Sequence, residues 1–215
     1  MDLDIAGCGL RSAKKERTRQ ALEQAAIAIV AADGIDALTA DRIAAEAGVS
    51  RRTLFNYFKR VEDVLTASMD EAMQEALAVF AARPSEEPLR TSIRAVLAVQ
   101  PDHPVFEQAI ALELAAKGSA ATRHFLREFD DRVIDMIETG LHERIGATAD
   151  PMYVAALAGS VAAVLTRITR LVVEQSPDLA PIDLTPRLHE ALGTAFDFLF
   201  AGFDEASADV TTQEL

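Results

Sequence analysis

"TADRIAAEAGVSRRTLFNYF", residues 39–58, contains two short helical patterns separated by a single glycine. Thr39 has the chemistry of an N-cap, and Asp41 in the first turn suits the helix dipole. Gly48 breaks that helix, and Ser50 caps the next, which runs to about Tyr57. Ile43, Ala44, Ala47, Val49 and Leu54 fall where they pack inside the angle between the two helices. The small side chains of Ala44, Ala45 and Ala47 allow the helices to approach closely. This is a helix-turn-helix layout, in which the second helix enters the DNA major groove N-terminus first.

Arg51 and Arg52 stand at the positive end of that second helix. Cations there oppose the macrodipole by roughly 0.3–1 kcal/mol each. A sequence selected for stability alone would place Asp or Glu there, and such conflicts concentrate where function overrides stability. DNA resolves the conflict. Arginine contacts guanine O6 and N7 in bidentate fashion, and helix N-terminal amides accept phosphate. Asn56, about one and a half turns on, has the groups to read adenine. Thr53, Tyr57, Lys59 and Arg60 offer donors to phosphates, and Arg42 and Ser50 complete the candidate interface. The competing reading is a surface helix whose arginines pair with nearby acids.

The rest of the chain frames this module. Of 215 residues, 21 are Lys or Arg and 34 are Asp or Glu, a net charge of −13 that argues at first against nucleic acid. The charge is unevenly distributed. Residues 11–60 hold ten basic and six acidic residues, a net of +4, whereas residues 61–215 hold eleven and 26, a net of −15. A small basic module therefore sits on a large acidic body. The single cysteine, Cys8, excludes an intramolecular disulfide framework and fits a reducing compartment. The first ten residues, "MDLDIAGCGL", lack the basic start of a signal peptide. The longest uncharged run, residues 151–166, is shorter than the ~20 residues a membrane span needs, so a cytoplasmic protein is expected.

Apolar residues recur at spacings of three and four almost throughout, without strand alternation. The expected fold is all-α, with about nine helices near residues 13–33, 39–46, 50–57, 61–82, 86–99, 104–116, 119–146, 151–175 and 185–203. Pro and Gly punctuate the connections. The expected division is a flexible arm at 1–12, a three-helix DNA-binding domain at 13–60, a helical body at 61–203 and a flexible acidic tail at 204–215.

Residues 13–65 resemble the N-terminal domain of TetR-type (tetracycline-repressor-like) transcriptional regulators. The resemblance rests on "RQALEQAAIAIVAADGIDALTADRIAAEAGVSRRTLFNYF" and the following "EDVL", about a quarter of the chain. It implies an all-helical homodimer with one DNA-binding module per subunit, a palindromic operator and, most usually, repression. It also implies a C-terminal domain that binds a small molecule and dimerises through its last two helices. By position, Thr39 and Thr53 would touch phosphates, Arg51, Arg52 and Asn56 would face bases, and Tyr57 would hold the backbone. One departure is Val61, where the family often has lysine; Lys59 or Arg60 is left to replace that contact.

The acidic body carries no recognisable motif. Helix 151–175 is apolar around much of its circumference, and Ala155, Ala158, Gly159, Ala162 and Ala163 let another helix approach. With the last helix it suits a four-helix dimer interface, against the alternative of a purely intrachain core. A ligand cavity is expected among the fourth to eighth helices. Its candidate lining is Met69, Met73, Leu97, Phe106, Ile110, Phe129, Val133, Met136 and Leu165, each also readable as plain core. Arg167 and Arg170 interrupt an apolar helix and have the chemistry to anchor a carboxylate or phosphate, though such residues more often snorkel or pair with acids. No catalytic residue, metal ligand or cofactor is expected. His103–Glu107 and His124–Glu128 have helical i,i+4 spacing but lack the HExxH pattern, and they read as surface pairs. A helical ligand- or protein-binding bundle without sequence-specific DNA binding is the remaining alternative.

Overall fold

The computed structural model describes residues 3–98, 103–146 and 149–202. Among them are nine α-helices and no strand: α1 Leu3–Asp33, α2 Ala40–Glu46, α3 Arg51–Tyr57, α4 Asp63–Ala81, α5 Leu89–Ala98, α6 Pro104–Gly118, α7 Ala120–Ile145, α8 Pro151–Gln175 and α9 Pro181–Ala201. A 3₁₀ turn, Ile35–Ala37, links α1 to α2.

Side-chain caps set several of the starts. The Thr39 hydroxyl accepts from the Arg42 amide at 3.3 Å, and the Ser50 hydroxyl from the Thr53 amide at 3.1 Å. Ser119 caps α7 through the Thr122 amide, and Asp150 caps α8 through the Met152 amide. Each such bond satisfies an amide that the helix itself cannot, and is worth about 1 kcal/mol.

Two helix starts differ most from the sequence reading. The first helix begins at Leu3, so most of the expected flexible arm at 1–12 is helical backbone. The run "RSAKKERTRQ" is rich in strong helix formers, and extending an existing helix needs no new nucleus. The last helix begins at Pro181 instead of near 185, and Pro186 lies inside it. Pro181 sits at the first position, where a missing amide costs nothing. Pro186 deprives only the carbonyl of Ile182, whose residue is largely exposed, and that leaves it open to water. The expected tail at 204–215 and residue 203 lie outside the described residues.

Three apolar clusters hold the helices together. The first contains Leu22, Ile29 and Val30 of α1, Ile43 of α2 and Leu54 of α3. It is completed by Val64 and Leu65 of α4, Leu112 and Ala116 of α6, and Leu126 of α7. The helix-turn-helix module therefore shares a continuous core with the body, across the boundary expected near residue 60. Full burial of side chains such as Leu22, Ile43 and Leu54 contributes about 1.5–3 kcal/mol each. The second cluster joins Phe80, Phe129, Val133 and Ile137 to Val154, Ala158 and Phe196, and the third joins Ile110 to Val172, Val173, Leu184 and Leu188.

Polar contacts tie α4 at its middle and at its C-terminal end. Arg19 of α1 reaches Glu71 at 2.6 Å, and Arg132 of α7 reaches Asp70 at 3.2 Å. At the far end, Arg144 donates to the carbonyls of Phe80, Arg83 and Pro84 at 2.8–3.0 Å and lies over the Phe80 ring. A guanidinium thus caps carbonyls that the end of α4 leaves without helical partners.

Helix α8 is long and apolar enough by length and composition to cross a membrane. Its buried side chains, Val154, Ala158 and Ala162 among them, pack within the second cluster.

Candidate nucleic-acid interface and interior cavity

The turn between α2 and α3 depends on Gly48, whose φ of +65° is a left-handed conformation that suits glycine. The Val49 amide donates to the Ala44 carbonyl at 2.9 Å and closes the turn. Leu54 is fully buried beneath it, so the opposite face of α3 points outward. That face carries Arg51, Arg52, Phe55 and Asn56, all exposed, and the exposed Lys59 follows just past the helix end.

The candidate DNA-contacting side chains divide by what already holds them. Arg52, Asn56 and Lys59 have no ion-pair or hydrogen-bond partner among the described residues and point outward with their donors free. Arg51 lies 3.3 Å from Asp41, but both side chains are more than half exposed. Such a surface pair is worth about 0–1 kcal/mol and exchanges readily for a base or phosphate. Arg42 is drawn back to Asp33 at 2.5 Å. Thr39 and Ser50 are exposed and serve as caps, yet a hydroxyl that accepts from an amide still has a proton to donate. Ser50 and Thr53 hydroxyls also lie 2.8 Å apart. Tyr57 is half-buried against the first core cluster.

Val61 packs partly buried on the same cluster and offers no charge at the start of α4. Arg60 is engaged locally: its amide donates to Asp63 at 3.0 Å and its guanidinium lies 3.4 Å from Glu62. Of the two suggested replacements for the absent lysine, Lys59 is the unengaged one.

Sequence reasoning passed over Phe55. It is 46% exposed on the same face as Arg52, three residues on. The available signal was its place in the helix: with Leu54 pointing inward, its neighbour must point out.

The body holds a partly open cavity of about 280 Å³ among α4 to α9. Met69 and Met73 line it from α4, Leu97 from α5, Phe106 from α6, Phe129 and Val133 from α7, and Leu165 from α8. Three candidates lie elsewhere. Ile110 is buried in the third cluster, because its side of α6 meets α8 and α9. Met136 lies off the cavity wall, on a different face of α7 from Val133 and Ile137. Arg167 is exposed on the outer side of α8, where the helical repeat aligns it with Leu171. Arg170 points inward but lies 3.6 Å from Glu113 and outside the cavity lining. Sequence reasoning did not single out Glu113 or Asp130, the two inward-facing acids of the cavity wall. Burial pushes the Asp130 carboxyl up to about 6, and the charge of Glu113 adds to that rise against Arg170 and Arg123.

The histidines have ordinary roles. His103 Nδ1 accepts from the Val105 amide at 3.1 Å as the cap of α6, and His124 lies 3.6 Å from Glu128 with both side chains exposed. Among the described residues, no group of three or more His, Cys, Asp or Glu side chains is arranged to hold a metal.

The capped helices, the glycine turn and the outward basic face define a helix-turn-helix DNA-binding module. Residues 23–67 match the family model for bacterial regulatory proteins of the tetR family, so the N-terminal module is a tetR-family DNA-binding domain. Two solved structures are similar in part. A transcriptional regulator from Rhodococcus sp. Rha1 is 18% identical, with a TM-score of 0.42, over 86% of this chain and 96% of that one. A tetR-family transcriptional regulator from Streptomyces coelicolor is 20% identical, with a TM-score of 0.46, over 90% of this chain and 86% of that one. No curated protein matches the chain.

Proposed function

We propose that this protein is a ligand-responsive regulator of transcription that binds a palindromic operator as a homodimer in the cytoplasm, acts as a repressor, and is released by a small molecule. The observation that carries the reading is the outer face of α3, where Arg51, Arg52 and Asn56 are exposed on a helix pinned from beneath by Leu54, with the exposed Lys59 just past its end. Arg51, Arg52 and Asn56 read base edges, and Phe55 offers an apolar contact to a thymine methyl. Thr39, Arg42, Ser50, Thr53 and Tyr57 hold phosphates, and Lys59 replaces the family's lysine at the start of α4. Arg60 adds positive charge beside them.

The dimer is supported by α8 and α9. Apart from Phe55, the large hydrophobic side chains exposed among the described residues are Met152, Tyr153 and Leu171 on α8 and Ile182 on α9. Tyr153 and Leu171 lie eighteen residues, or five turns, apart and so share one face. A second copy of the same helices would cover them in a four-helix interface. Leu171→Glu is expected to give a monomer in sedimentation with the helical circular dichroism retained.

Helix α4 supports the regulatory part of the reading. Its first turns, with Val64 and Leu65, belong to the core beneath the DNA-binding module, while Met69 and Met73 face the cavity. A ligand that favours a different position of α4 changes the separation of the two recognition helices, which must lie about 34 Å apart to meet one face of DNA. It lowers operator affinity by its differential affinity for the two states. The test is selection of genomic fragments with purified protein, then titration of the best fragment against salt. One palindromic site is expected, with about 10³–10⁵-fold weaker binding at 200 than at 50 mM salt for roughly 6–10 phosphate contacts. Enrichment of no site would refute the reading.

A further inference from the structure

The cavity wall is apolar except for a few residues, and its sign of charge is uniform. Glu75, Glu113 and Asp130 line it, and no lysine or arginine does. Glu75 is solvent-exposed, so the interior charges are Glu113 and Asp130. Glu113 is already compensated. Arg123 lies 2.6 Å from its carboxylate and Arg170 lies 3.6 Å away, both from outside the cavity lining. Asp130 is half-buried and has neither an ion pair nor a hydrogen bond among the described residues. Its raised affinity for a proton has the same origin, burial without a bonded cation.

These facts fix the sign of a complementary ligand. An unpaired carboxylate beside an apolar wall costs desolvation that no side chain returns. A ligand cation placed there recovers it through a charge-assisted hydrogen bond. A ligand carboxylate or phosphate would meet Asp130 with no arginine in the cavity lining to receive it: Arg123 is bonded to Glu113, Arg170 lies 3.6 Å from Glu113 outside the lining, and Arg167 is on the outer side of α8. The remaining lining, including Phe106, Phe129 and Phe196, suits an aromatic or alkyl body of modest size.

Resting on the reading of this cavity as the effector site, we propose that the effector is a small, largely apolar molecule carrying one protonated amine, which Asp130 holds at the cavity wall. Asp130 is then the residue that decides between amines and acids. Arg123 and Arg170 offset the charge of Glu113 from outside the cavity lining, which leaves Asp130 as the acid that a ligand cation meets.

The test uses three probes of one shape and different charge: 4-phenylbutylamine, 4-phenylbutanol and 4-phenylbutyrate. Their dissociation constants would be measured by calorimetry on the full chain, on Asp130→Asn and on Leu165→Trp, with thermal melts of each. The amine is expected to bind about tenfold more tightly than the alcohol, and the acid most weakly. In Asp130→Asn the amine falls to within about twofold of the alcohol, whose own affinity hardly changes. Leu165→Trp fills the cavity and weakens all three probes. An acid that binds as tightly as the amine to the wild-type chain overturns the proposal, and that comparison needs no variant to fold. An amine preference that survives in Asp130→Asn also overturns it, leaving the cavity as a ligand site of other chemistry. Absence of binding by all three, or binding insensitive to Leu165→Trp, removes the cavity reading and this proposal together.

Discussion

The two ends of α4 belong to differently written structures. Before it, residues 11–60 carry a net charge of +4, whereas residues 61–215, which include it, carry −15. The N-terminal module exposes polar and basic groups over a buried apolar core, whereas the body places acids on its cavity wall and leaves large apolar side chains on the outside of α8 and α9. Each part departs from the simplest soluble globule in the direction of its expected partner: anionic DNA for one, a second subunit and an apolar ligand for the other. Local departures from a stability-only pattern are therefore more informative about function than the overall composition.

Truncating the shared core is expected to have the largest effect on this contrast. Leu54→Ala and Phe196→Ala should destabilise the chain by about 2–5 and 3–5 kcal/mol respectively, measured by denaturant unfolding. Because Leu54 belongs to a cluster that includes Leu112 and Leu126, its loss should lower the midpoint of the whole transition. A separate early transition confined to the N-terminal module would break the account of a continuous core.

The next effect concerns pH. Glu23 is 6% exposed in the N-terminal module, and burial pushes its carboxyl up to about 7 despite Arg19 at 2.8 Å. A carboxyl whose folded pKa is raised binds more protons folded than unfolded between about 4.5 and 7. Its contribution to stability is thus greatest at the acid side and falls as pH rises through that window. Melting temperatures across this range should decline less in Glu23→Gln than in the wild type. Equal slopes would mean that Glu23 stays ionised against Arg19.

Smaller effects sharpen the comparison further. Ser50→Ala should cost about 1 kcal/mol by removing the cap of α3, and it should weaken DNA binding more than its stability loss accounts for. Arg94→Ala breaks an exposed pair with Asp197 at 3.0 Å and should cost less than ~1 kcal/mol, with no change in DNA binding.

The same contrast explains what was legible in the sequence. Thr39, Gly48 and Ser50 act on their own backbone within a few residues, so their roles could be read directly, and both expected hydroxyl caps form. The all-α fold followed from apolar spacing. Boundaries were less legible where a local signal was ambiguous: between two prolines the last helix was expected from about residue 185, but it begins at Pro181 and carries Pro186 inside. The cavity wall was least legible, because it is set by which helices pack together. Helical spacing alone could not tell Ile110, buried against α8 and α9, from Phe106, which faces the cavity. Nor could it reveal that Arg123 and Arg170 lie against Glu113 while Asp130 has no ion-pair partner among the described residues. Val61 could be recognised as a departure from sequence, but only packing distinguishes the free Lys59 from Arg60, which lies beside Glu62.

The central claim is that the exposed arginines of α3 serve DNA and not the fold. The most direct measurement is the affinity of Arg51→Ala/Arg52→Ala for the fragment selected by the wild-type chain, with thermal stability measured in parallel. Two bidentate base contacts at about 1–3 kcal/mol each predict at least a 30-fold loss of affinity. Stability should be unchanged or slightly higher, because both cations oppose the helix dipole. Undiminished binding by the double mutant, or a loss of binding matched by a loss of folding, would contradict the account.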